Sequence, residues 1–411
     1  MPCENSPGRI FVTSSHSRWA LVGFLWVAFA LNYLDRQMVY SMFPALRADL
    51  GIAPAQLGLI GGVFMWVYTL SMPIAGRLAD RGRREWMILA SLVLWSIATL
   101  GGGWSQSEGA FLGWRAAMGV TEALYFPAAV ALIASLYPEE IRSRALGVHQ
   151  SAQYLGAMAG GWYGGWSADH VGWRQAFWVA GSFGLAYSLV LWRVFQKLPT
   201  VAITETKRGS SNWRDLINSP SYVMLCLTFA AFCAMQWVYL AWYPTFLYEH
   251  YHLSMTDSGW NATVFLQGSA LVGILISAAL ADRWSKRYPK ARLYVTAASV
   301  LLCAPFAYLT FATDSLPLAR LFSAIFGFFA GSLAANAFAA ACDLIGTEQR
   351  GLASGVLNTM GGLASAAMIY LAGRWKDTIG FPTMTLWMMG VAMVVAAGFL
   401  LTARTQRMPG R

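Results

Sequence analysis

Apolar runs of about 20 residues recur along the whole 411-residue sequence, and they restrict the fold more than any other feature. A helix of ~20 apolar residues spans the hydrocarbon core of a bilayer. Hydrophobic residues make up 57% of the chain and charged residues only 12%, whereas soluble domains carry roughly 25% charged residues. The sequence therefore predicts an all-α, polytopic membrane protein.

Twelve spans are predicted, and a long polar interval divides them into two groups of six. Their approximate ranges are 19–43, 55–79, 86–104, 110–136, 144–168, 174–195, 221–248, 257–281, 292–312, 317–342, 351–373 and 382–403. The first run is too long for the apolar core of a signal peptide, so we expect it to remain in the protein. We predict an N-terminal six-helix bundle over 1–195, a cytoplasmic linker over 196–220 and a C-terminal six-helix bundle over 221–411.

The net charge of +10 is distributed unevenly between the two sides of the predicted bundle. When Lys and Arg are sorted by alternate loops, 22 lie on the side of the termini and the linker, and three lie within predicted helices. The opposite side has four, which are Arg47, Arg174, Arg374 and Lys376. By the positive-inside rule we expect both termini to be cytoplasmic, in a multi-pass protein of the plasma (inner) membrane. The basic charge then reflects topology, and no nucleic-acid partner is predicted.

The two groups of spans share sequence, which indicates an internal duplication. The segment GRLADRGRR at 76–84 follows span two, and ALADRWSKR at 279–287 follows span eight, so that LADR is repeated 202 residues apart. Arg115 and Arg320 occupy comparable places early in spans four and ten, 205 residues apart. Two matches at nearly the same offset predict a duplicated six-helix unit, and therefore two pseudo-symmetric bundles.

These features resemble the major facilitator superfamily, whose signature loop joins spans two and three with a glycine, an Asp–Arg pair and a basic cluster. The resemblance covers nearly the whole chain and implies the twelve-helix fold of that superfamily, with a substrate cavity between its two halves. The matching residues are Gly76, Asp80, Arg81 and Arg84, with Asp282 and Arg283 in the second copy. The second copy departs from the pattern, because Ala278 stands in place of the glycine. We interpret this set as a conformational latch, because membrane anchoring explains the arginines but not the repeated acidic residue.

Four charged residues lie inside predicted spans one and four. Asp35 and Arg36 are adjacent in LNYLDRQMVY, whereas Arg115 and Glu122 are seven residues apart, which places them two helical turns apart on one face. Ionisable groups inside membrane proteins normally face the bundle interior or an aqueous cavity, and they mark substrate or proton paths. A guanidinium suits a carboxylate ligand. The alternative is a set of structural salt bridges between the two helices.

The NYLDR segment, the Arg–Glu spacing of span four and WYPTFL at 242–247 resemble the anion:cation symporter branch, which includes sugar-acid and organic-anion carriers. This resemblance implies that Arg36 binds the substrate carboxylate. It also implies that Asp35 and Glu122 carry the coupling protons, with Arg115 as the partner of Glu122. The expected function is secondary active transport of a small organic anion by proton symport with alternating access. The segment 35–62 and the GRLADR loop also resemble the Spinster-like branch, which is associated with lipid-like or amphipathic substrates.

Neutral polar side chains inside the spans are further candidates for the substrate cavity. Gln150, Gln153 and Tyr154 lie at positions i, i+3 and i+4 of span five, so they share one helix face. Weaker candidates by the same reasoning are Asn32, Tyr33, Gln236, Tyr239, Gln267, Asn336 and Asn358. Hydrogen bonding between packed helices is equally able to account for each of these residues singly.

Other classes of function lack their sequence patterns. No zinc-protease, nucleophile-elbow or P-loop motif occurs, so no enzyme is predicted. Four of the five cysteines lie in apolar runs and suggest no metal site, and we predict no cofactor. The segment 156–166 of span five is rich in glycine, which predicts close packing of this helix against its neighbours. They resemble the fifth span of proton antiporters but lack its proline, which argues against drug efflux. The expected partners of a monomeric carrier are an organic anion, protons and the lipid bilayer.

Overall fold

The computed structural model describes residues 15–197, 216–345 and 349–405, and the regular structure of these residues is entirely helical. The N-terminal helices are α1 (Ser15–Ser41), α2 (Phe43–Leu50), α3 (Pro54–Arg81), α4 (Arg84–Gly103), α5 (Glu108–Ala123), α6 (Tyr125–Leu136), α7 (Glu139–His170) and α8 (Trp173–Gln196). The C-terminal helices are α9 (Pro220–His250), α10 (Met255–Ser285), α11 (Ala291–Ala312), α12 (Leu316–Leu344), α13 (Arg350–Trp375) and α14 (Gly380–Thr405). The all-α prediction is confirmed.

A helix lies at each of the twelve predicted spans. Within the described residues, ten spans are long and apolar enough to cross a bilayer, with α5 and α6 forming one of them. The other two are α1 and α7, which have 27 and 32 residues. Both exceed the ~20 residues that a membrane helix needs, but they carry more polar side chains. Most of the predicted linker, 198–215, lies outside the described residues.

Two spans are interrupted, and a proline explains each interruption. The break between α1 and α2 lies two residues before Pro44, and the break between α5 and α6 lies three residues before Pro127. Proline has no N–H to donate to the carbonyl four residues earlier, and its ring clashes with that carbonyl. The carbonyls affected are those of Tyr40 and Ala123. As a result, Glu122 lies directly beside an irregular turn in the middle of its span.

The N-terminal helices α1–α8 pack against the C-terminal helices α9–α14 at one end of the molecule. We call this the closed end, and it contains the turns at 51–53, 171–172 and 251–254. A Cβ added to Gly58 of α3 would lie 2.8 Å from the carbonyl oxygen of Ile369 in α13. In the same region Gln37 Nε2 donates to the carbonyl oxygen of Leu240 in α9 at 2.9 Å. Helices α1, α3 and α7 therefore seal this end against α9, α10 and α13.

The two groups of helices separate towards the opposite end, which contains the turns at 82–83 and 286–289 and which we call the basic end. A Cβ added to Gly76, Gly147 or Gly355 would meet nothing within 4 Å. Towards this end, Thr69 of α3 lies against Gly362 of α13. The close approaches of glycines between the two groups of helices thus lie towards the closed end and not at these three glycines of the basic end.

Candidate functional site

The candidate site lies where α1 faces α3, α4 and α5. Successive helix residues point about 100° apart, because a turn contains 3.6 residues. The adjacent residues Asp35 and Arg36 consequently reach different neighbours. Asp35 faces Thr99 of α4, whereas Arg36 faces Glu122 of α5. The acid–base pair that is adjacent in the sequence is thus divided between two contacts.

Arg36 and Glu122 form a buried ion pair. Nε of the guanidinium donates to Oε2 of the carboxylate at 2.6 Å, and the two side chains are 4% and 0% exposed. The guanidinium carbon lies 4.2 Å from the ring centre of Tyr68 and 4.8 Å from that of Tyr33. The ion pair with Glu122 is made through Nε of the guanidinium and not through its two terminal Nη groups. An arginine held in this way can offer its outer N–H pair to a second carboxylate.

Asn32 of α1 lies next to the Glu122 carboxyl. Oε1 is buried without a hydrogen-bond partner in the described part of the chain, and so are both amide atoms of Asn32. Asn32 lies one helical turn before Arg36, on the same side of α1. An unpaired buried polar group costs roughly 1–3 kcal/mol. The Glu122 carboxyl and the Asn32 amide therefore place neutral and charged polar atoms side by side next to the ion pair, where a substrate hydroxyl could bind.

Asp35 is held by a shared hydroxyl. Its Oδ2 lies 3.3 Å from Thr99 Oγ1, which is also 3.0 Å from the carbonyl oxygen of Trp95. A threonine hydroxyl has one proton, so it can donate to only one of these oxygens at a time. A protonated Asp35 can itself donate to Thr99 while Thr99 donates to Trp95. The contact is therefore compatible with both the charged and the neutral acid.

The predicted pairing of Arg115 with Glu122 is wrong. Nη1 of Arg115 lies 3.3 Å from Met118 Sδ, and its guanidinium carbon lies 4.5 Å from the Phe64 ring centre. Nε and Nη2 are buried without a hydrogen-bond partner among the described residues. Seven residues separate the two groups by about 10 Å along the helix, and Arg36 of a neighbouring helix is closer to the carboxylate. The spacing within one helix did not reveal which side chain another helix supplies.

The predicted neutral residues are only partly brought together. In α7, Tyr154 is buried, Gln153 is half-buried and Gln150 is exposed, so burial falls along the face that they share. Tyr33 contacts Arg36. Of the candidates in the C-terminal helices, Gln267 is buried with Oε1 unpartnered, and Asn358 is exposed.

Sequence reasoning missed three side chains that contact the charged groups. Phe64 and Tyr68 of α3 form the aromatic wall around the two arginines, and Thr99 of α4 contacts Asp35. The aromatic residues lie in an apolar run, where nothing distinguishes them from lipid-facing or core residues. Thr99 is equally hard to recognise as a site residue from the sequence, because hydroxyl side chains are common between membrane helices.

The residues of the predicted latch lie at the basic end. Asp80 and Arg81 are exposed at the end of α3, and Arg283 is exposed in the last turn of α10. Arg84 Nη1 donates to the carbonyl oxygen of Ala131 at 3.2 Å. Asp282 pairs with Arg292 at 2.8 Å, which is a contact within the C-terminal helices. Gly76 is half-buried, and a Cβ there would meet nothing within 4 Å.

Comparison with known proteins gives one matching family profile and two similar proteins of known name. The sequence profile of the Major Facilitator Superfamily matches residues 25–368. An MFS-type efflux pump of Mycolicibacterium smegmatis is 28% identical over 365 residues, which cover 88% of this chain and 85% of the pump. A D-galactonate transporter of Escherichia coli is 23% identical over 413 aligned residues, which cover 93% of this chain and 95% of that transporter.

Among solved structures, the fold is similar to that of a bacterial homologue of the human lysosomal transporter Spinster, in an inward-facing and occupied conformation. The TM-score is 0.81 with 18% sequence identity, and the match covers 98% of both chains. At this level of identity the likeness concerns the fold. The predicted twelve-helix membrane architecture is confirmed by it.

Proposed function

The chain belongs to the major facilitator superfamily, and we propose that this multi-pass membrane transporter moves a small organic anion by proton symport. The anion is a sugar acid or another small carboxylate. The bundles 1–195 and 221–411, joined by the linker 196–220, rock about a cavity at Arg36. The termini and the basic end face the cytoplasm across the inner membrane, and the carrier acts as a monomer.

The observation that carries this proposal is the buried ion pair between Arg36 and Glu122. A permanently charged guanidinium inside a membrane protein is costly, and such groups normally serve substrate or ion paths. Arg36 has its outer N–H pair free of Glu122, and this planar fork matches a carboxylate. Galactonate, the substrate named for one relative, carries one carboxylate and several hydroxyls. Asn32, Tyr33, Gln153 and Tyr154 supply neutral partners of the kind that such hydroxyls need.

Coupling follows from competition for Arg36. A substrate carboxylate on the guanidinium weakens the hold of Arg36 on Glu122, and a released Glu122 is stabilised in its buried site when it takes up a proton. Proton and anion then bind together and leave together. Asp35 is a second acid that can take up and release a proton, because its contact with Thr99 is compatible with both the charged and the neutral acid. The Asp80 and Asp282 loops act as latches when the basic end closes.

The test is transport by purified protein in liposomes. Radiolabelled D-galactonate is expected to accumulate when a pH difference is imposed with the outside acidic, without ATP. A protonophore should abolish the accumulation. Uptake that ignores the pH difference would exclude proton symport, and uptake that requires ATP would exclude secondary transport.

A second substrate class is favoured by one observation. The Phe64 ring lies against both Arg36 and Arg115, and Met118 contacts Arg115, so an amphipathic molecule with an acidic head also fits the chemistry. The similarity of the fold to that of a bacterial Spinster homologue supports this alternative. A long-chain fatty acid that displaces labelled galactonate, or that is transported when galactonate is not, would favour the amphipathic substrate.

A further inference from the structure

At the closed end, the carboxylate of one aspartate in the N-terminal helices is hydrogen-bonded to a helix of the C-terminal half. Asp169 of α7 accepts hydrogen bonds from the backbone N–H groups of Met255 and Thr256 at 3.2 and 2.7 Å. It also accepts one from the Thr256 hydroxyl at 2.6 Å. These two residues begin α10. One side chain thus makes three bonds to the first turn of a helix in the other half of the molecule.

The position of Asp169 is not explained by its own helix. It lies in the last turn of α7, which ends at His170, and a negative charge is disfavoured at a helix C-terminus. The N-terminus of α10 has the opposite polarity, because its first N–H groups have no partners within the helix. The contact across the halves therefore compensates for an unfavourable position in α7.

Asp169 also completes the hydrogen bonding of the α10 N-terminus. Ser254 Oγ accepts from the N–H of Asp257 at 3.0 Å, and the Ser254 carbonyl accepts from the N–H of Ser258 at 2.9 Å. The donors that remain in this turn are those of residues 255 and 256. The cap of α10 is therefore shared between a serine of its own half and an aspartate of the other half.

Two glycines bring Asp169 into range. Gly161, Gly165 and Asp169 are four residues apart, so they lie on one face of α7. A Cβ at Gly161 would lie 2.7 Å from the Gly259 carbonyl oxygen, and one at Gly165 would overlap the Met255 carbonyl. The glycine-rich segment of span five thus allows the backbone of α7 to approach α10. This close approach brings the Asp169 carboxylate within hydrogen-bonding distance of Met255 and Thr256.

We propose that Asp169 makes a gate contact at the closed end, beside the Gln37–Leu240 hydrogen bond and the Arg47–Glu249 ion pair that also join the halves. When the carrier opens on this side, α7 and α10 separate and the carboxylate leaves the first turn of α10. Asp169 is exposed, so water can solvate the carboxylate when the end opens, and this keeps the three bonds to a modest net stabilisation that allows the contact to form again in each cycle. The gate stabilises the state in which this end is closed, and it does so for any substrate.

The experiment measures how often the closed end opens. Ser41 is 2% exposed and lies against Gly259 at this interface. In full-length protein whose five native cysteines are replaced by alanine, Ser41→Cys reports opening by its rate of reaction with a charged maleimide. Asp169→Ala is expected to raise that rate about tenfold, which corresponds to ~1.4 kcal/mol and lies within the range for loss of a helix N-cap. Asp169→Asn keeps an acceptor and should raise the rate less.

Asp49→Ala is the matched control. Asp49 lies at the same end, but it bonds Trp173 and Arg174, which belong to its own half. Its removal should leave the labelling rate within about twofold, since no bond between the halves is lost. Labelling that accelerates equally in both variants, or in neither, would overturn the gate assignment.

Thr256→Val tests the contact from the other side. It removes one of the three bonds, so we expect a smaller rise than with Asp169→Ala, of about threefold. The double variant should label no faster than Asp169→Ala alone, because the threonine acts through the aspartate. Additive effects would show that Thr256 acts elsewhere. The assay contains no substrate, so its outcome is independent of whether the carrier moves organic anions.

Discussion

Corresponding helices of the two halves make the same contact with different chemistry. In the N-terminal half, Arg36 of α1 and Glu122 of α5 form an ion pair at 2.6 Å. In the C-terminal half, the hydroxyls of Tyr239 in α9 and Ser323 in α12 lie 2.5 Å apart. Tyr239 and Ser323 follow Arg36 and Glu122 by 203 and 201 residues, close to the 202 of the repeated LADR segment. The duplication therefore retains a polar contact between the same pair of spans.

The difference between these contacts separates two tasks. An ion pair changes its net charge when its acid takes up a proton, and it can be opened by a competing anion. A pair of hydroxyls holds two helices together but has no charge to exchange. We infer that proton coupling belongs to the N-terminal half, and that the C-terminal half provides a neutral wall for the cavity.

The largest expected effect comes from making the N-terminal contact neutral. Glu122→Gln imitates the protonated acid permanently, so the carrier can no longer bind and release the coupling proton. Accumulation of labelled D-galactonate driven by a pH difference should be abolished. Counterflow exchange should persist, because exchange requires no net proton movement. A variant that still concentrates galactonate under a pH difference alone would make Glu122 a structural residue and leave coupling to Asp35.

The second effect concerns the geometry of the charge rather than its sign. Arg36→Lys keeps a positive charge but loses the planar fork. Binding of D-galactonate should weaken at least about tenfold, since a hydrogen bond to a charged group contributes roughly 1.5–3 kcal/mol. The control is Arg320→Lys, because Arg320 bonds Asn261 in the C-terminal half at 2.7 Å. Calorimetry that finds equal affinities for Arg36→Lys and the parent would remove Arg36 from the binding site.

A third effect depends on the number of protons. If Asp35 carries one of two coupling protons, Asp35→Asn should lower the ratio of protons to galactonate transported by one. The amide can still accept from Thr99, so the helix contact should survive. Simultaneous measurement of galactonate uptake and internal pH gives the ratio. An unchanged ratio would assign Asp35 to helix packing.

Most of the fold could be predicted from the sequence. Run length and low charge identify membrane helices without any knowledge of their packing, since each span satisfies its own backbone. The end of α1 lies within two residues of the predicted end of span one, beside Pro44, whereas the break inside span four was not predicted, although Pro127 marks it. A proline in a membrane helix is tolerated without a break in many cases, so its presence alone does not locate one.

The site could be predicted only as far as charges inside spans reveal it. Asp35, Arg36 and Glu122 lie together as buried groups, but the partner of Glu122 comes from another helix, whereas the family resemblance implied Arg115 instead. Tyr68 could not be identified as a site residue, because nothing in the sequence distinguishes it from other aromatic residues of the apolar runs. Asp169 has the appearance of an ordinary acid at the end of a helix, and only the packing of α7 on α10 gives it a function.

The smallest expected effect tests the neutral side of the comparison. Tyr239→Phe removes one hydroxyl of the buried pair and leaves Ser323 without this partner, which should cost about 1 kcal/mol of stability. The double variant with Ser323→Ala should be less destabilised than the sum of the single variants, because no buried hydroxyl is then stranded. Thermal unfolding of the purified variants measures both quantities. The dependence of galactonate uptake on pH should be the same as in the parent, since no charge has been removed. A shift in that dependence would mean that the C-terminal contact takes part in coupling, and the division of tasks between the two halves would fail.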